Sequence, residues 1–195
     1  MWRRALKEAR EAVEREPHSG YIQGLIGIVF LWARDGAGGI PFAERSLELE
    51  PDGVIGLYGL GFLYSMVGRH DEAVDLLARV VEKTDRHHEF LTYYAYVLAA
   101  AGRVEEAESI LKEVLAVYDP TQPKGVAGSI SGIYASLGDG DNAVSWMNKG
   151  IEEGYAARMH IVFPQYDSIR GHPGFARIVE SIGVAAFWAH PTFGK

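Results

Sequence analysis

The chain has 195 residues, of which 23% are charged and 48% hydrophobic, as in an ordinary folded domain or a short repeat array. A formal net charge of −7 argues against broad contact with nucleic-acid phosphates or anionic lipid. The absence of cysteine removes disulfides, thiolate metal sites and cysteine nucleophiles, and leaves the redox compartment open.

Residues 2–16 place Ala5, Ala9, Ala12 and Val13 on one helical stripe that stops at Pro17, and carry no apolar core of a signal peptide. The most apolar run, 21–32, is too short to span a bilayer, so a soluble, cytoplasmic protein is expected. A helix over 21–34 follows, then a loose, flexible turn at Asp35-Gly36-Ala37-Gly38-Gly39 and a helix over 41–50 with Pro41 in its first turn. Two helical pairs occupy 54–85 and 88–119, and Pro120-Thr121-Gln122-Pro123 interrupts the chain before a fourth pair, 124–137 and 141–153, with Trp146 and Met147 as core candidates. The first helix of that pair carries Gly125, Gly128 and Gly132, each costing about 1 kcal/mol against alanine, so it depends on its neighbours.

The centre of the chain repeats. Gly68 and Gly102 lie 34 residues apart, as do Ala73 with Ala107 and Leu77 with Leu111; Gly138 and Ala143 keep the glycine-to-alanine offset. A fixed period in the thirties signals helical hairpins stacked into an array. Glycine ends the first helix in the left-handed conformation, Asp71 caps or charge-stabilises the second, and the alanines let the two helices approach closely. In this frame residues 1–19 form half a unit, followed by units at 20–53, 54–87, 88–123 and 124–154. The chain thus opens on a second helix, which is expected if it is cut from a longer protein; whether Met1 is the natural start stays open.

The pattern Leu60-Gly61-x2-Tyr64-x3-Gly68-x4-Ala73-x3-Leu77, repeated from Tyr94 to Leu111, resembles the tetratricopeptide repeat. The resemblance implies an all-α, right-handed superhelical solenoid of antiparallel helix pairs, about four and a half repeats with a C-terminal cap. It implies a protein or peptide partner held in a concave groove lined by the first (A) helix of each pair, without catalysis or cofactor. Carried over by position, the groove residues are Tyr21, Ile28, Trp32, Ile55, Tyr58, Phe62, Ser65, Met66, Glu89, Thr92 and Tyr96. The Lys/Asn clamp that some members use for a C-terminal carboxylate is absent at these positions.

Residues 162–175 are similar to a segment that follows such arrays in bacteria, with His172 and Gly174 where aspartate and arginine are usual. The likeness implies that 155–183 caps the array, and it leaves an alternative reading: the sensory array of a larger transcription regulator, nucleotide cyclase or Ser/Thr kinase. The tail 184–195, with Phe187, Trp188 and Phe193, is read as folding back, pairing with a second copy in a homodimer, or hanging free.

Other chemistry finds little support. His87 and His88 are adjacent and should diverge on a helix, and no HExxH spacing exists. The acidic groups at 105–108, 71–72 and 152–153 suit solvated helix ends. Neither glycine group, 36–39 or 56–61, fits a phosphate loop; the second reads as close helix packing.

Overall fold

A computed structural model describes residues 2–122, 125–155 and 160–184, with the side chains of 2–6 and 10 excepted. Among these residues the chain is helical and has no strand. The helices are α1 (Trp2–Arg15), α2 (Gly20–Trp32), α3 (Gly36–Leu49), α4 (Val54–Met66), α5 (His70–Lys83), α6 (His88–Ala100), α7 (Val104–Ala116), α8 (Val126–Ser136) and α9 (Gly140–Glu152). A 3-10 helix (Pro164–Ile169) and α10 (Pro173–Ser181) follow. The chain divides into two compact units, Met1–Asp85 and Arg86–Lys195. The array is all-α, as the period predicts, with α2, α4, α6 and α8 as A helices and α3, α5, α7 and α9 as B helices.

Every A helix ends by the same device. Arg34, Gly68, Gly102 and Gly138 are left-handed, with φ of 61°, 84°, 76° and 78°. The following N–H then donates back to the carbonyl five residues earlier: Asp35 to Phe30, Arg69 to Tyr64, Arg103 to Leu98 and Asp139 to Tyr134, all at 2.9–3.0 Å. These bonds satisfy the last carbonyls of the A helix and reverse the chain. The same four residues then start the B helix. Asp35 and Asp139 accept the N–H of Gly38 (2.9 Å) and Asn142 (3.1 Å). Arg69 and Arg103 instead clamp Glu72 and Glu106 through paired bonds of 2.5–2.7 Å. Those guanidinium groups hold both carboxyls below the usual carboxylate range. Asp71 lies inside the first turn of α5, so it favours the helix dipole but is not the cap.

The first unit departs from the sequence reading at one place. Residues 36–39 are not a loose turn: α3 begins at Gly36, and Pro41 stands inside it, beyond the first turn. Gly39 is buried because a Cβ there would lie 2.7 Å from the Phe30 Cβ and 2.8 Å from a Leu63 methyl. It occupies the small position filled by Ala73, Ala107 and Ala143 in the other pairs, all three fully buried. Close approach, not flexibility, selects glycine here.

In that unit α1 packs on α2 through Ala9, Ile26 and Phe30, with Val13, Ile22, Val29 and Phe42 around them. In the second unit Ala135, Ala143, Met147, Ile161, Tyr166, Ile169, Phe175, Ile178 and Val179 form one core that joins α8 and α9 to the 3-10 helix and α10. These side chains cover the last hairpin. His172 replaces the usual aspartate without loss of the cap, because its Nδ1 accepts the Gly174 N–H at 3.1 Å while Nε2 meets Asp141 at 3.1 Å. Trp146, expected in the core, is half-buried and sets its ring edge-on to Tyr118 at 5.0 Å. The tail beyond residue 184 lies outside the described residues.

Two glycine-to-alanine changes separate the two roles. At Gly68, with φ of 84° and nothing within 4 Å of an added Cβ, alanine should cost about 1–2 kcal/mol through backbone strain alone. At Gly61 the added Cβ would fall 1.9 Å from a Leu77 methyl. Urea unfolding should show a loss of about 1–3 kcal/mol there. With Leu77→Val in addition, the loss should be smaller than the sum of the two single changes.

Candidate interaction surface

Charge is sorted between the two classes of helix. Among α2, α4, α6 and α8, Glu89 is the sole formally charged side chain, whereas α5, α7 and α9 carry acids in their first turns and salt bridges on their faces. The A helices stay close because small residues meet at their crossings. A Cβ on Gly24 would lie 3.0 Å from an Ile55 methyl and 3.2 Å from the Gly56 nitrogen. Buried Ser46 of α3 supports both helices, donating its hydroxyl to the Gly20 carbonyl at 2.7 Å and standing 2.5 Å from where a Gly56 Cβ would be.

In the first unit Tyr21 is 55% exposed, and Trp32, Ile55 and Met66 are half-buried. Ile28, Tyr58, Phe62 and Ser65 are buried, with Phe62 at 0% and its ring edge-on to Tyr58 at 5.5 Å. They are interior side chains here, and the expectation that they line an open face fails. The glycines at 24, 56 and 59 let α2 and α4 cross closely, and Ile28 packs at that crossing, 3.5 Å from where a Gly59 Cβ would be. Leu25, 38% exposed and one turn from Tyr21, belongs to the open face and was missed. Its signal was present: an apolar residue at a four-residue offset from an aromatic one, with no charge on the helix.

In the second unit Glu89 and Tyr96 are half-buried, and Thr92 is buried. Thr92 ties α6 to α8, its hydroxyl reaching the carbonyls of His88 (3.0 Å) and Ser129 (3.3 Å). His88 Nδ1 meets the Ser129 hydroxyl at 2.9 Å. The rings of His87 and His88 do not diverge but lie 4.3 Å apart, because His87 is the N-cap and stands outside the helix. Glu89 accepts the Tyr93 hydroxyl at 3.0 Å. Tyr155, His160 and Phe163, which the sequence reading placed only within the 155–183 segment, lie beside α6 and α8. Gly128 marked the place: a Cβ there would lie 2.2–2.5 Å from three atoms of the Tyr155 ring.

Among the described residues no group of three or more His, Asp or Glu side chains could hold a metal ion, and no helix is long and apolar enough to cross a membrane.

Residues 67–126 match the family model described as Tetratricopeptide repeat. The solved structure of MamA AMB-1 is 24% identical, covers 83% of this chain and 88% of its own, and superposes with a TM-score of 0.50, a likeness of fold. No curated protein matches the chain.

Burial changes what a substitution should do. Phe62→Ala should destabilise the fold by about 3–5 kcal/mol in urea unfolding, as loss of a core phenylalanine does, rather than leave a stable protein that has lost only a partner.

Proposed function

We propose that this chain, which over residues 67–126 belongs to the tetratricopeptide repeat family, is a non-catalytic interaction module that binds a peptide or helix of a partner protein on the open face of its A helices. The observation that carries this reading is the sorting of charge: the A helices hold one acid among them, while Tyr21 and Leu25 stand exposed on α2. Exposed aromatic and aliphatic groups on an uncharged helical face supply anchors of the kind that dominate protein affinity. Tyr21, Trp32, Ile55 and Met66 in the first unit, and Glu89 and Tyr96 in the second, are the expected contacts. Ile28, Tyr58, Phe62, Ser65 and Thr92 act behind them by holding the helices.

A second reading is favoured by the cap. The 162–175 pattern that resembles segments following bacterial signalling arrays forms the 3-10 helix and the start of α10. On that reading the module senses or regulates for a larger protein, and its partner is another domain of the same polypeptide.

A charge placed on the open face tests the first reading. Tyr21→Lys with Leu25→Lys should abolish capture of the partner from host lysate, leaving helicity and unfolding midpoint close to wild type. Glu105→Lys, an exposed change on α7, should retain capture. Capture kept by the double variant would remove the A-helix face as the binding surface.

A further inference from the structure

The second unit contains a cluster that neither the array nor partner binding explains. The Tyr155 ring lies on the bare backbone of Gly128 in α8. The His160 ring is 4.9 Å from Tyr155 and 6.1 Å from Phe163. Phe163, itself 4% exposed, stacks on Tyr93 of α6 at 5.5 Å and 21°. Tyr93 in turn donates to Glu89. An imidazole thus lies between two aromatic rings, with the Glu89 carboxylate as the nearby charge among the described residues.

We infer that the seating of Tyr155, His160 and Phe163 against α6 and α8 is a latch that acidification loosens, with the His160 imidazole as its sensing group. Among the described residues, few groups face this cluster. Glu89 and Tyr93 come from α6, and Tyr166 from the 3-10 helix; α8 carries no charged side chain, and His88 turns to Ser129. Burial holds the His160 imidazole below the usual histidine range, and Glu89 works in the opposite direction without reversing it. Burial also pushes the Tyr155 hydroxyl well above its ordinary value, with Tyr166 and Glu89 adding to the rise, so this phenol stays neutral across the relevant range.

The direction follows from linkage. Released from the cluster, His160 takes a proton near its ordinary pKa of about 6.5; seated, it takes one only at lower pH. The latch is therefore fully closed above that ordinary value, and its stability falls as pH drops below it toward the lowered pKa. Glu89 limits the loss, since a carboxylate beside the imidazolium offsets part of its burial.

Histidine-ring NMR titration of the whole chain, with urea unfolding at about pH 7.5 and about pH 5.5, tests this on either side of the ordinary histidine pKa. His160 should titrate below that value. The unfolding midpoint should fall on acidification in wild type, fall less in His160→Gln and fall more in Glu89→Gln. Titration of His160 at or above the ordinary value would overturn the latch, even if neither variant folded. So would a pH dependence in His160→Gln equal to that of wild type.

Discussion

The left-handed residue that closes each A helix is the constraint on which the rest of the array depends. It fixes where the chain reverses, and hence which side chains of the B helix come to face the A helix. Five residues on comes the small position at the crossing (Gly39, Ala73, Ala107, Ala143), and nine residues on a core position (Ala43, Leu77, Leu111, Met147), all of them buried. Glycine takes this conformation freely, and three of the four closing positions use it. Arg34 is the departure, and its hairpin has glycine in place of alanine at the crossing. Two extra residues between α7 and α8 shift the period, and after α7 Asp119 accepts the Thr121 N–H at 2.8 Å.

Much of this was legible in the sequence. The glycine-to-alanine offset places the hairpins at 54–85 and 88–119 because each depends on a conformational preference that one residue type satisfies. The 36–39 stretch misled because glycine has two meanings, freedom in a turn and closeness in a helix, and composition does not separate them. Only the position of Phe30 and Leu63 shows that Gly39 is needed for closeness. In the segment after α9, proline at 164 and 173 starts two short helices, and the apolar residues that follow cover α8 and α9.

The candidate surface was legible only in outline. That the A helices are apolar and, apart from Glu89, without formal charge is plain from their residues. Which of those residues face water is not, because the depth of each A–A crossing decides it. Glycines at 24, 56 and 59 bring α2 and α4 together at Ile28, and Tyr58 and Phe62 are buried although their type alone suited either place. In the second unit the same logic runs through the cap. Gly128 and Gly132 read as weaknesses of α8, yet they are the points where Tyr155 and the Thr92 and Gln165 side chains come closest to it. An interior glycine in such a helix is a sign of something seated upon it.

On the proposed function, labour divides by helix class: charged B helices keep the array solvated, and the A helices, with Glu89 as their one formal charge, meet the partner. Hydrogen–deuterium exchange of the chain with and without its bound partner tests that division most directly. New protection concentrated in α2, α4 and α6, with α5, α7 and α9 unchanged, is the predicted result. Protection confined to the B helices would contradict it.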